Sequence, residues 1–425
     1  MKGYLLVLAA ALLTTLVLTP VAGWVAGRIG AVQAPGGRRV HARTTPLLGG
    51  AAMYAGFLAG LLAATRIEQF DPVFKGTSDP LAILAAATLV FVVGVIDDVV
   101  EVSAPAKLAG QVLAASVLAL LGVTMLFFRV PFGGYLSLSP DLAFFLTVVW
   151  VVGMVTAVNM IDGLDGLAAG VVGIAAGAFA LYSAKLFDQG LLPNDSNSIS
   201  PLIAVITLGL CAGFLPWNFQ PARVFMGESG VSLLGLLMAA STLLVGGQTA
   251  EDTSGSTFFF FAPLFIPIVI MGVPIFDTVF AIVRRTVRRE RVSSGDRGHL
   301  HHRLVRLGHG ERRAVLILWA WTVILSGLAL WPLYTNRGNG LVPFGAAALA
   351  VALYTVLHPE VRRTRAGQLA SQLSFDDLPD DLPGDRQGGP PAGVTTPVDG
   401  PDAGPAGRAT LPPADLNLRD PKPGS

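Results

Sequence analysis

Leu142 to Val158 reads LAFFLTVVWVVGMVTAV and runs directly into Asn159-Met160-Ile161-Asp162-Gly163-Leu164-Asp165-Gly166-Leu167. As a helix, an uncharged run of this length rises about 25 Å, close to the ~30 Å hydrocarbon core of a bilayer. Backbone polar groups in lipid find partners only within the chain, so such a run crosses the membrane as a helix. It ends in an amide and two carboxylates, groups that belong in water or in a site. A chain that repeats this alternation is an all-α, polytopic integral membrane protein.

Working outward, apolar runs between polar breaks predict about eleven transmembrane helices. They are Tyr4 to Ala26, Leu48 to Ala64, Leu81 to Ile96, Leu108 to Phe128, Leu142 to Val158, Leu167 to Leu186, Leu202 to Leu215, Val231 to Val245, Phe258 to Val283, Val315 to Trp331 and Leu341 to Leu357. Lys2 ahead of the first run also fits a cleavable signal peptide, but the arginines that follow favour a retained span. Residues 1–365 then form one multi-pass membrane domain. From 366 to 425 the composition shifts to Pro, Gly and Asp, with eleven of the 29 prolines, which predicts a disordered tail.

Only 13% of the 425 residues are charged and 52% are hydrophobic, which excludes a soluble enzyme. A net charge of +1 gives no reason to expect nucleic acid as a partner. The single cysteine, Cys211, excludes an intramolecular disulfide and a thiolate zinc site.

Basic residues flanking spans are retained in the cytoplasm. With the N-terminus outside, the cytoplasmic segments hold nineteen Lys and Arg, ten of them between Arg284 and Arg313, and the opposite side holds six. An odd number of spans then leaves the C-terminus cytoplasmic. Under this topology four polar clusters face the cytoplasm.

Asp97 and Asp98 end the third span, with Lys107 beyond; adjacent carboxylates at a membrane boundary suit metal or phosphate handling, or simply a polar helix end. The repeated Asp-Gly-Leu of 162–167 lets backbone amides approach an anion ahead of a helix N-terminus, and an ordinary Asp-Gly turn accounts for one copy only. In Trp217 to Gly230, Glu228 sits in a Gly-flanked turn able to offer hard oxygen to Mg²⁺, and Phe225 reads as an exposed aromatic that can stack on a base. The same stretch also reads as a loop with interfacial aromatics. Asp296 to Arg303 interleaves His299, His301 and His302 with Arg297 and Arg303. No histidine pair is spaced four apart for zinc, and guanidinium forks with imidazole donors suit a polyphosphate. Asp277, inside the ninth span, is a buried ionisable residue with a functional role or an arginine partner.

Taken in this order, from His41 with Thr45 to Gly50 through Asp97-Asp98, Asn159 to Leu167, Asn218 to Gly230, Pro274 to Asp277 and Asp296 to Arg303, the chain resembles the polyprenyl-phosphate N-acetylhexosamine-1-phosphate transferases. The resemblance covers about two-thirds of the chain. It implies transfer of a sugar 1-phosphate from a UDP-N-acetylhexosamine to a polyprenyl phosphate lipid, such as undecaprenyl or decaprenyl phosphate, at the cytoplasmic face of the plasma membrane. UMP is released, Mg²⁺ is the cofactor with Mn²⁺ as a substitute, and a second copy of the chain is an admissible partner.

By the same resemblance Asp97 deprotonates the lipid phosphate, Asp98 lies beside it near the metal, and Lys107 contacts phosphate. Asn159 and Asp162 line the nucleotide and metal region, while Gly163, Leu164, Asp165 and Phe225 form a uracil pocket. Asn218 contacts the donor, and Arg297, His299, His301, His302 and Arg303 grip diphosphate and sugar. The metal ligands are Glu228, Asn159, Asp98 and Asp162.

Two positions depart from the family pattern. Glu228 stands where the family carries a magnesium-binding Asp, and its extra methylene moves the carboxylate by ~1.3 Å against ligand distances near 2.1 Å. Leu47 replaces a basic or polar residue. The His/Arg loop resembles the N-acetylglucosamine branch, which makes that sugar the expected donor. A muramoyl-pentapeptide phosphotransferase, a catalytically impaired paralogue and a polytopic transporter are the alternatives.

Overall fold

Each of the eleven apolar runs contains an α-helix in the computed structural model. The described residues are 2–33, 44–100, 102–125, 127–130, 134–188, 199–246, 265–287, 300–335 and 338–357. The 366–425 segment, His41, Arg297 and His299 lie outside them, as do the side chains of His301 and His302.

In chain order the elements are α1 (Lys2–Ile29), β1 (Val32–Gln33), β2 (Thr45–Pro46), α2 (Gly49–Ala64), a 3₁₀ turn (Glu68–Phe70), α3 (Asp71–Gly76), α4 (Asp79–Val100) and α5 (Ala104–Leu120). Then follow β3 (Phe127–Val130), β4 (Gly134–Ser137), α6 (Pro140–Ile161), α7 (Leu167–Asp188), α8 (Ser200–Asn218), α9 (Gly227–Gly246), α10 (Phe265–Ile270) and α11 (Gly272–Val287). The last are α12 (Leu300–Arg306), α13 (Glu311–Thr335), a 3₁₀ turn (Gly338–Gly340) and α14 (Leu341–Leu357). Among the described residues seven helices, α1, α4, α6, α7, α8, α9 and α13, are individually long and apolar enough to cross a membrane. α2 joins them when taken with the segment Glu68–Gly76, from which it is bent by 94°, and α5 and α14 are shorter apolar helices. The protein is therefore an all-α polytopic membrane protein.

Two predicted spans are interrupted. The fourth stops at Leu120 instead of Phe128: Gly122 takes a φ of +113°, its N–H bonds Ala119 O at 3.1 Å, and the Val123 N–H reaches back to Leu118 O at 3.1 Å. This is a Schellman closure, which glycine makes without a Cβ penalty. β3 and β4 then form an antiparallel hairpin in register Phe127↔Ser137. The ninth span breaks at Met271 into α10 and α11, because Pro274 has no N–H to donate and its ring clashes with the carbonyl four residues back.

The helices pack around α9, whose span is 94% buried, against 22% for α1. Lipid tails are as apolar as Leu, so helices in a membrane associate through close packing, and small residues permit it. A Cβ added to Gly94 of α4 would lie 2.6 Å from Ser229 N, and one at Gly235 of α9 would lie 2.5 Å from Val155 Cα of α6. At these crossings backbone meets backbone. Gly153, also on α6, has nothing within 4 Å of such a Cβ.

β1 and β2, from the two ends of the connection between α1 and α2, pair antiparallel, Val32↔Pro46 and Gln33↔Thr45. The Phe225 N–H then bonds Pro46 O at 2.8 Å, while Gly49 N–H bonds Phe225 O at 2.9 Å and Gly50 N–H bonds Met226 O at 2.8 Å. The start of α2 is thereby fixed to the turn that begins α9.

Gly94→Leu should lower the thermal midpoint of the detergent-solubilised protein by the equivalent of about 1–3 kcal/mol or more, since backbone cannot yield as a side chain can. Gly153→Leu is the matched substitution expected to leave the midpoint unchanged.

Candidate functional site

At one end of the bundle a cavity of about 810 Å³ is lined by the ends of four helices and by the α1–α2 connection. α4 contributes Asp97 and Asp98, α5 contributes Lys107, α6 and the turn after it contribute Asn159 and Asp162, and α9 contributes Gly227, Glu228 and Val231. Gly30, Val32, Gln33 and Leu47 close the remaining wall. Segments lying between Gly30 and Val231 in sequence thus converge on one end of the bundle.

The side chains form a connected network. Asp97 Oδ2 lies 2.7 Å from Lys107 Nζ, and its Oδ1 accepts the Val102 N–H at 2.7 Å. Asp98 Oδ1 accepts the Glu228 N–H at 2.6 Å, and its Oδ2 accepts the Ser229 N–H at 3.2 Å and the Ser229 hydroxyl at 2.6 Å. Glu228 Oε2 accepts from Asn159 Nδ2 at 2.7 Å and stands 3.9 Å from Lys107 Nζ, while Oε1 accepts from Ser232 Oγ at 3.4 Å. Gly227 is required at the turn into α9: its φ is +67°, and a Cβ there would lie 2.5 Å from both Asp98 Oδ1 and Leu47 O.

Four carboxylates and one ammonium line this cavity. Charge of one sign in a partly dry site is costly unless cations join it. Among the described residues the carboxylate and amide oxygens here are hard donors with no thiolate or imidazole beside them, the chemistry that suits Mg²⁺. Among the described residues no three His, Cys, Asp or Glu side chains converge to hold a metal by themselves.

Several predicted residues do not line the cavity. Phe225 is buried, 5% exposed, instead of being an exposed aromatic. Its backbone is bonded on both sides to the α2 connection, which draws the ring inward. Asp165 is also buried, and its Oδ2 accepts the Ala222 N–H at 2.8 Å. Asn218 bridges the same two loops, accepting from Gly166 N–H at 3.0 Å and donating to Val224 O at 3.1 Å. Gly163 and Leu164 belong to this turn. Asp277 Oδ1 accepts the Leu300 N–H at 2.9 Å, which fixes the start of α12, where His301, His302 and Arg303 follow; Arg303 is exposed.

Other participants escaped the sequence reading. Ser229 holds Asp98, and Ser232 touches Glu228. Gln220 bonds Glu311 through its amide and accepts from Arg312 Nη2 at 2.8 Å through its carbonyl, docking the 219–224 loop on the start of α13. A polar residue directly after the Gly-Glu turn was a signal for Ser229, since hydroxyls gather at helix starts. Nothing local marks Gln220.

Residues 80–246 match the family model described as Glycosyl transferase family 4. The decaprenyl-phosphate N-acetylglucosaminephosphotransferase of Mycolicibacterium smegmatis is 37% identical over 361 residues, covering 83% of this chain and 88% of that protein. The protein of the same name from Mycobacterium tuberculosis is 38% identical over 363 residues, covering 84% and 88%. A Bacillus subtilis protein named as an undecaprenyl-phosphate N-acetylglucosaminyl 1-phosphate transferase is 36% identical over 318 residues, covering 74% and 81%.

Asn218→Leu should destabilise the protein by about 1–3 kcal/mol for each partner it strands, Gly166 N–H and Val224 C=O. Proteolysis should open first in the 163–166 and 219–224 loops, read by mass spectrometry of the nicked fragments.

Proposed function

This chain belongs to glycosyl transferase family 4, and from that premise we propose that it transfers N-acetylglucosamine 1-phosphate from UDP-N-acetylglucosamine to a polyprenyl phosphate. The products are a polyprenyl diphosphate sugar and UMP, a first step toward a surface or cell-wall glycan. The observation that carries this reading is the acid-lined cavity, with Asp97 paired to Lys107, in a chain whose relatives are named for this transfer.

In the transfer an oxygen of the lipid phosphate forms a bond to the β-phosphorus of the donor, and the bond from that phosphorus to UMP breaks. Both reactants are anions, so positioning and charge neutralisation are the main tasks of the protein. Asp97 is the group suited to take a proton from the lipid phosphate, and Lys107, bound to it now, can turn to the phosphate as that proton arrives. Glu228, Asn159 and Asp162 would hold Mg²⁺ together with substrate oxygens. When bound, that ion supplies positive charge between donor and acceptor. Arg297 and Arg303, with His299, His301 and His302, suit the donor diphosphate and sugar.

The distribution of Lys and Arg supports an N-terminus outside and a cavity open to the cytoplasm, in the plasma membrane of the cell. Cys211, the only cysteine, is buried and should stay silent to polar thiol reagents. In a membrane-impermeant maleimide assay, Lys75→Cys should label on intact cells and Arg306→Cys only after lysis. The reverse pattern would invert the topology.

Purified protein should release UMP from UDP-N-acetylglucosamine and polyprenyl phosphate. EDTA should abolish release and Mg²⁺ restore it. Asp97→Asn should lower kcat by about 10²–10⁴, and Glu228→Asp should change the Mg²⁺ concentration needed for half-maximal rate. Turnover with UDP-muramoyl-pentapeptide alone would move the chain to the other branch, and no turnover with any UDP-sugar would sink the transferase reading.

A further inference from the structure

Asp97 and Asp98 are neighbours in sequence and both reach the cavity, yet their bonding differs in kind. Asp97 is bonded to one backbone N–H and to the ammonium of Lys107, whose side chain is 31% exposed. Asp98 meets three donors, and all three belong to the first turn of α9. A carboxylate offers about four lone-pair sites, and α9 occupies three of them across both oxygens.

The first N–H groups of a helix have no partner within it and carry partial positive charge. At the start of α9 water cannot easily replace a lost partner: Ser229 is 0% exposed, and the Gly94 backbone presses against it. Asp98 supplies from α4 what an N-cap residue ordinarily supplies from its own helix. The residue so fixed is Glu228, whose own N–H is one of the three donors and whose carboxylate points into the cavity.

We propose that Asp98 is a positioning residue that acts as an N-cap in trans for α9, holding Glu228 in place, and that it neither transfers a proton nor serves as a primary metal ligand. Its charge is used against the end of the helix. The division of labour within the acidic pair is then explicit: Asp97 faces the reaction, and Asp98 faces the frame.

Only the kinetic part of the test rests on the transfer reaction proposed above. Hydrogen exchange on the full-length protein in detergent, without substrate, should show the Glu228 and Ser229 amides exchanging at least about tenfold faster in Asp98→Ala, whereas Asp97→Asn leaves them as in wild type. If Asp98→Ala does not fold, Ser229→Ala removes one of the three bonds and should raise the exchange of the same amides. In Asp98→Asn the amide oxygen still accepts from Glu228 N–H and the NH₂ can donate to Ser229 Oγ, but the Ser229 N–H loses its acceptor, so its exchange should rise more than that of Glu228. Any loss of rate in this variant should follow the exchange at the α9 amides, with the acid limb of its pH–rate profile unmoved. Combining it with Ser229→Ala should cost no more than the worse single change, because both act on one contact.

Asp98→Asn as inactive as Asp97→Asn, with exchange at α9 unaltered, would place the carboxylate in the reaction and overturn the proposal. A shifted acid limb would do the same. If the wild type turns over no UDP-sugar, the transferase reading fails, and the exchange measurement still decides whether Asp98 caps α9.

Discussion

The backbone N–H groups at the start of α9 have no partner within their own helix, and the carboxylate of Asp98 supplies one from a different helix. The rest of the molecule is arranged around this contact. For the carboxylate to arrive, α4 must approach α9 at backbone distance, which Gly94 permits, and the turn must take a positive φ, which Gly227 permits. Gly49 and Gly50 bring the start of α2 onto the same turn through carbonyls 225 and 226. An interhelical bond in a bilayer does not by itself dominate stability, and model systems put such bonds at about 1–2 kcal/mol or less. Its importance here is geometric, because it fixes where the most buried helix begins and therefore where Glu228 stands.

The same contact explains how two adjacent acids coexist. Consecutive residues on a helix point about 100° apart and do not face each other. Asp97 therefore turns toward α5 and Lys107 while Asp98 turns toward α9, and each negative charge has its own positive environment. Glu228 completes a chain of contacts from α5 across α9 to α6, through Lys107 on one side and Asn159 on the other. Four helix ends are thus held in one network, and the cavity they enclose is shaped by it.

The apolar runs made the membrane helices legible because lipid leaves no other way to satisfy the backbone. The two interruptions were less legible: a glycine closure at Gly122 and a break before Pro274 lie inside stretches whose hydropathy alone reads as continuous. At the site, acids and amides at span ends pointed to Asp97, Asp98, Lys107, Asn159, Asp162 and Glu228, which the fold does bring around one cavity. Phe225, Asp165 and Asn218 could not be sorted from these by sequence. An Asp in a turn looks the same whether its carboxylate meets a ligand or, like that of Asp165, the Ala222 N–H of a neighbouring loop. That distinction depends on contacts over fifty residues apart.

Glu228 shows why reading a substitution from side-chain length alone is incomplete. An added methylene on a rigid backbone would push the carboxylate off a site tuned for aspartate. Here the added reach has partners: Oε2 meets the Asn159 amide across the α6–α9 contact, and Oε1 meets Ser232 one turn along α9. A carboxylate fixed by an amide on one oxygen and a hydroxyl on the other has fewer rotamers to lose when a cation arrives, which offsets part of the conformational entropy a longer side chain would otherwise give up. The extra length of Glu228 is thus taken up by two neighbouring helical positions, and neither oxygen is left without a partner.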